Sequence, residues 1–188
     1  DLMYMDENHE GFSFRNYKDY LLIGGGGHKT GTKGGGYLEL QKFAWSQYPG
    51  RNIPYMWSAQ DCMSLDGIPY IGYHSKSRSN VFVATGFNKW GMTGAMSAAM
   101  VLEDLIVKGK SEYENLFSPA RSMMHSQVLV NLGSAIGNIL RPGKRCTHMG
   151  CALRWNPQER TWDCPCHGSR FGENGTVLEN PAKRNKRT

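Results

Sequence analysis

The 188-residue sequence has no apolar run long enough to cross a membrane. A membrane helix needs roughly 20 consecutive apolar residues. The best candidate stretch, residues 92–107, carries Glu103 and Asp104. No basic segment followed by an apolar core opens the sequence, so no secretion signal is visible, and a cytoplasmic setting is predicted. The chain also lacks Gly-x-Gly-x-x-Gly, the fingerprint of a dinucleotide-binding βαβ unit. The glycine run before Lys29 and Thr30 falls short of a phosphate loop because His28 occupies the place of the last glycine. His28 alone reads as a surface residue. No internal repeat is present. With 39% hydrophobic and 20% charged residues the chain is too apolar for wholesale disorder, and its length suits one or two domains.

Acidic residues are scarce at one end. Ten Lys/Arg against four Asp/Glu follow residue 140, while the remainder balances twelve against twelve, so the whole net charge of +6 lies there. Such a bias could attract nucleic acid or an acidic protein. Lys183, Arg184, Lys186 and Arg187 crowd the last six residues with no aromatic among them, so base stacking is not provided for, and the expectation is a solvated tail with no nucleic-acid partner.

Cysteine is scarce too, but it is concentrated. Cys62 stands alone and reads as a small buried hydrophobe. Cys146, Cys151, Cys164 and Cys166 crowd together with His148 and His167. Without a secretion signal, such a cluster reads as metal-binding rather than as a disulfide framework.

Along the chain, residues 1–15 are polar and mixed. Tyr20 to Ile23 reads as a strand, and Gly24 to Gly36 as a glycine-rich loop. Tyr37 to Tyr48 reads as an amphipathic helix facing inward with Leu38, Phe43, Ala44 and Tyr48. Strands are predicted at 55–58, 68–73 and 81–85. The surest helix is 92–108, with Ala95, Ala98, Ala99, Leu102, Leu105 and Ile106 on its inward face and Gly109 at its stop. Ser118-Pro119 opens a linker, residues 128–140 are weakly apolar, and Arg141-Pro142-Gly143 breaks them. Short strands and loops follow.

Two tight loops carry chemistry. Cys146-Thr-His148-Met-Gly150-Cys151 is followed, twelve residues later, by Cys164-Pro-Cys166-His167-Gly168-Ser169. Each offers a thiolate and an imidazole. A [2Fe–2S] cluster with thiolates on one iron and imidazoles on the other needs that supply, and the neutral imidazoles make reduction easier. From Cys146 to about Ala182 the chain closely resembles the Rieske [2Fe–2S] family. The resemblance implies Cys146, His148, Cys164 and His167 as ligands. It implies a loop-linking disulfide between Cys151 and Cys166, as in the respiratory-type subgroup. Gly150 and Gly168 would let the backbone pass close to the cluster, and the Ser169 hydroxyl would hydrogen-bond to it. Phe171 stands where that subgroup typically has a tyrosine.

A structural zinc site could use the same Cys and His atoms, and two plain disulfides would leave both histidines without a role. A Rieske oxygenase is disfavoured, because its ferredoxin loops lack the extra cysteine pair and too few residues follow for a mononuclear iron domain. Rieske domains place several strands before the first ligand loop. Here Pro142 to Arg145 leads straight into Cys146, so either that base is deleted or the upstream linker replaces it.

A second signature precedes this one. Trp57-Ser-Ala-Gln-Asp61 and Asp66-Gly-Ile-Pro-Tyr-Ile-Gly72 lead to Asn80-Val-Phe-Val-Ala-Thr-Gly86-Phe-Asn-Lys-Trp-Gly91-Met-Thr-Gly94. The last block reads as strand, glycine loop, helix, with free N–H groups at the helix start facing something electron-rich. From roughly Gly11 to Leu116 it resembles the C-terminal portion of FAD-dependent oxidoreductases of the D-amino-acid-oxidase/glycine-oxidase type. That resemblance implies flavin contacts at Gly86, Lys89, Trp90, Gly91, Met92 and Thr93. It also implies that FAD is bound only in an intact parent carrying the missing half.

The expected fold is α+β: residues 1–116 a partial flavoprotein segment, 117–143 a linker, and 144–188 a small all-β Rieske subdomain. The expected function is electron transfer through a [2Fe–2S] cluster, as part of a flavin-linked oxidoreductase with an unidentified redox carrier as partner. The alternative is a non-enzymatic module that holds zinc or is an inactive remnant.

Overall fold

A computed structural model describes residues 2–6, 11–32, 37–75, 77–122 and 126–186. The observed class is α+β. The chain forms two compact units: one joins Asp1–Ser58 to Ser134–Thr188, and the other is Ala59–Gly133.

In the first unit, β1 (Met3–Met5), β2 (Ser13–Tyr17) and β3 (Tyr20–Gly24) form an antiparallel meander. Its closing turn is two residues long, with Lys18 at φ 51°. Helix α1 (Tyr37–Gln47) brings Phe43 to 4.4 Å from Phe12 and 5.7 Å from Phe14, ring centre to ring centre. The residues turned inward are Tyr37, Leu40, Phe43 and Ala44, while Leu38 and Tyr48 are exposed. β1 and the start of β2 lie in the stretch read as polar and mixed, because strands of three and five residues are too short for alternation to show. Residues 55–58 are not a strand. They have no ladder partner, and Pro54 precedes them, so β-forming side chains alone do not suffice. Residues 25–32 are loop, His28 is exposed, and the rest of the glycine run lies outside the described residues.

The same unit holds a four-stranded antiparallel sheet in sequence order: β4 (Arg154–Asn156), β5 (Thr161–Asp163), β6 (Arg170–Gly172) and β7 (Val177–Glu179). Its core is Cys146, Cys151, Leu153, Cys164, Phe171 and Ala182. On the same sheet the facing pair Asp163 and Arg170 is buried, with Thr161 donating to Asp163 at 2.7 Å and Arg170 at 3.2 Å.

The second unit is a hairpin, β8 (Tyr70–Ser75) and β9 (Arg78–Thr85), with helix α2 (Gly91–Val107) laid on it. Ile71, Ala98, Val101 and Leu105 are buried. The inward stripe therefore runs through Gly94, Ala98, Val101 and Leu105, whereas Ala95, Ala99 and Ile106 are exposed. Gly94 sets this rotation: a Cβ there would lie 2.7 Å from the Phe87 ring, so that face of the helix meets the hairpin closely. Gly109 ends the run at φ 73°, the left-handed stop that glycine adopts without penalty. Cys62 is exposed rather than buried, since its segment only borders the hairpin. The short helix α3 (Glu114–Phe117) leads to Arg121, whose guanidinium grips Asp66 at 2.6 and 2.8 Å and lies 3.9 Å from the centre of the Tyr70 ring. This paired charge holds the Asp66 carboxyl down at about 2, through its hydrogen bond to Arg121 first.

Residues 126–140 form helix α4, ended by Pro142-Gly143. Its last turn answers the question of the missing base. The Asn138 carbonyl accepts from Ala152 N–H at 2.8 Å, and the Ile139 carbonyl accepts from Arg145 at 2.6 Å. The upstream segment thus supports the first ligand loop.

Candidate metal centre

The two loops are built alike. In the first, Gly150 N–H donates to the Cys146 carbonyl at 3.0 Å, and Cys146 N–H to the Cys151 carbonyl at 2.9 Å. In the second, Gly168 N–H donates to the Cys164 carbonyl at 3.0 Å, and Cys164 N–H to the Ser169 carbonyl at 2.8 Å. Each turn therefore closes four and five residues on from its cysteine. Gly150 and Gly168 take the same position in the two turns at φ 76° and 79°, where a Cβ would be strained. The local chemistry explains both glycines without appeal to any ligand.

The side chains separate by type. Cys146 and Cys164 are free thiols, 3% and 1% exposed, on the inner side of the loops. His148 and His167 are exposed at the rim, with ring centres 5.1 Å apart. Burial raises the Cys164 thiol, and the neighbouring Cys146 adds to this against the backbone donors of Cys166 and His167. Burial, then the His148 charge, lowers His167. Both trends favour neutral groups, so occupation by a metal displaces thiol protons. Cys151 and Cys166 stand at disulfide distance with their Cα atoms 6.7 Å apart, one on each loop. The sulfurs of Cys151, Cys164 and Cys166 also converge within 4.8 Å, but a bonded pair offers no thiolates, so this triad is no metal set of its own.

Ser169 is fully buried, and its Oγ accepts from Ala182 N–H at 3.0 Å, which leaves the hydroxyl proton to donate elsewhere. Phe171 is wholly buried beside it in the core.

The predicted flavin contacts lie on the other unit. Gly86 takes φ 72°, and Lys89, Trp90, Gly91, Met92 and Thr93 form the exposed entry to α2, whose first residues have no side-chain cap. Sequence reasoning missed Asn88, at φ 53°, which ties this loop to the preceding one by accepting from Ser64 N–H at 3.0 Å and donating to the Gly67 carbonyl at 2.9 Å. Asparagine is among the residues that tolerate that conformation, and this was the available signal. Arg121 was also missed, because nothing local to its sequence marks its reach to Asp66.

The FAD dependent oxidoreductase family model matches residues 2–105, and the Rieske [2Fe-2S] domain model matches residues 107–188. The chain belongs to the FAD dependent oxidoreductase family and carries a Rieske [2Fe-2S] domain. Among similar proteins, the Rieske 2Fe-2S iron-sulfur protein YhfW of Bacillus subtilis is 35% identical, with the match covering 89% of this chain and 42% of the relative. A cytochrome b6-f complex iron-sulfur subunit of Nostoc is 51% identical over 37 residues, 20% of this chain and 21% of that protein. Its counterpart in Synechococcus is 51% identical over 39 residues, 21% of this chain and 23% of that protein. The chain thus spans less than half the length of these relatives. No solved structure matches. The Rieske domain implies a [2Fe–2S] cluster and the FAD dependent oxidoreductase segment implies FAD. Among the described residues no helix is long and apolar enough to cross a membrane.

Proposed function

We propose that this chain is the electron-transfer part of a flavin-linked oxidoreductase, with a [2Fe–2S] cluster held by Cys146, His148, Cys164 and His167. The observation that carries this reading is the sorting of the donors: two buried free thiols within matched turns, and two exposed imidazoles 5.1 Å apart beside them. When bound, the cluster supplies a one-electron centre that is easier to reduce than an all-thiolate one. The protein's own part is to hold the thiols away from water, to present the imidazoles outward where a partner can approach, and to pin both loops through Cys151 and Cys166. Ser169 donates its free proton toward the sulfur side. A structural zinc has no comparable use for one dry and one wet face.

In this reading residues 1–116 are the flavoprotein segment, 117–143 the connector and 144–188 the cluster domain. The loop that starts at the buried Gly86 and is exposed from Lys89 to Thr93 would meet the flavin ring in the complete protein, and electrons would pass between flavin, cluster and an external carrier. Metal analysis with visible absorption and EPR decides the matter. Two iron and two sulfide per chain with a reduced-cluster EPR signal are expected. Stoichiometric zinc with neither colour nor signal overturns it.

A further inference from the structure

The basic C-terminal segment exposes Lys183 and Arg184, as a solvated tail would, but hydrogen bonds hold it in place. The Arg184 carbonyl accepts from Thr147 Oγ1 at 2.6 Å, Lys186 N–H donates to the Gly175 carbonyl at 2.8 Å, and Asn185 Oδ1 accepts from Val177 N–H at 3.1 Å. These bonds draw the segment back against the first ligand loop. Residues 187 and 188 lie outside the described residues.

The result is an open groove of about 520 Å³ rimmed by Lys144, Arg145, Thr147, Arg184 and Lys186, with Cys146 at its wall. Lys144 and Lys186 hold their ammonium groups 4.3 and 5.5 Å from the centre of one indole, that of Trp162. Two like charges over one ring repel, and burial followed by the charge of Lys144 lowers Lys186. Among the described residues none of these cations forms an ion pair, whereas Arg160 and Arg170 of the same sheet are matched with Glu173, Glu159 and Asp163. The fold therefore spends its acids on the far turn and inside the sheet, and leaves the bases gathered and unneutralised at the cluster loop. Such a patch serves a partner rather than stability.

We propose that this groove is the docking site for an acidic one-electron carrier protein, seated within reach of the first ligand loop. The inference rests on the electron-transfer reading above and names the partner's chemistry. Nucleic acid fits less well. Trp162 is half-buried beneath two lysines, and its exposed neighbour Trp155 is not among the residues that line the groove, so the groove itself offers no ring on which a base could stack.

The test uses the full chain, with cluster content recorded by visible absorption on every sample. Binding of three probes is measured: an acidic plant-type ferredoxin, basic cytochrome c, and a 20-nucleotide single-stranded DNA. The ferredoxin should bind most tightly, and about tenfold more weakly when salt rises from about 0.02 to 0.2 M. Lys144→Glu with Arg184→Glu should weaken it about tenfold or more at low salt. The milder Lys144→Gln with Arg184→Gln should give a smaller loss in the same direction, should the reversal disturb folding. A control of equal charge change outside the groove, Lys110→Glu with Arg160→Glu, should stay within about twofold. Equal affinity for cytochrome c, tighter binding of the DNA, or a ferredoxin affinity indifferent to the groove variants would each overturn the proposal. Loss of cluster colour with charge-dependent ferredoxin binding intact would instead sink the electron-transfer reading and leave the acidic docking site standing.

Discussion

The cluster-bearing sheet and the hairpin unit solve the same problem in opposite ways. Residues 144–186 are few, yet they bury three cysteines, Phe171, Leu153, two alanines and a hydrogen-bonded polar set of Thr161, Asp163, Ser169 and Arg170. The hairpin unit buries four apolar residues and leaves Met92, Met96, Met100, Ile106 and Val107 of α2 in water. One region is closed on itself by turns, sulfur and polar pairing. The other is a surface fastened by Arg121 on Asp66. A small fold with little apolar volume needs specific bonds to be independent, whereas a helix that shows methionine, isoleucine and valine on its outer side leaves apolar surface for something to cover.

The comparison breaks most sharply at the ligands. Cys164→Ala or His148→Ala should abolish the iron–sulfur absorption and EPR signal and bring iron and sulfide per chain close to zero. The thermal transition of the hairpin unit should stay where it was. Full metal content in His148→Ala would dismiss it as a ligand.

Arg121→Ala is the converse cut. It leaves the half-buried Asp66 carboxylate without its partner, which costs about 3 kcal/mol. Urea unfolding followed by circular dichroism should register that loss in the hairpin unit while the cluster spectrum persists. The pair also sets an acid limit. Because Asp66 is held at about 2, below its ordinary 3.8, the stability it lends is complete above that ordinary value and drains away as pH falls toward 2. Arg121→Ala should flatten this acid dependence, and an unchanged profile would assign it to other carboxylates.

A smaller effect belongs to the sulfur link. Cys151→Ser with Cys166→Ser should cost the cluster region about 2–3 kcal/mol, as expected for closure of a loop of this length. Mass spectrometry of the unreduced parent should show the two peptides joined. Free thiols at both positions in protein with an intact cluster would refute the link.

The finest difference is in redox tuning. Phe171→Tyr should raise the cluster midpoint in protein-film voltammetry, because a hydroxyl donated toward a ligand sulfur stabilises the reduced state. A lower or equal midpoint would show that the buried hydroxyl finds another acceptor.

The paired Cys/His turns were legible because their residue types recur at fixed spacings and the bonds that close them are local. The strand-loop-helix from β9 into α2 was legible for the same reason: period, glycine and helix stop lie side by side. What escaped depends on distant pairing. The α2 stripe is turned by Gly94 meeting Phe87. The expected strand at 55–58 fails for want of a neighbour, and Cys62 is exposed because nothing covers it. The C-terminal segment looked free because its composition says nothing of Thr147 and Gly175, the residues that hold it.

Gly31 bears on how this protein can be cut apart. It stands at φ 73° in the glycine loop of the flavoprotein segment, and a Cβ there would lie 2.7 Å from the backbone nitrogen of Pro165, between two cysteines of the second ligand loop. Nearby, Tyr37 N–H donates to the Gln158 side chain at 2.6 Å. The seam between the two family matches, at residue 106, is therefore not a seam in space. Excising the Rieske domain at that point would strip Pro165 and Gln158 of neighbours that come from more than a hundred residues upstream. The redox module extends back to the glycine loop, and a graft of the cluster into another scaffold should carry that loop with it.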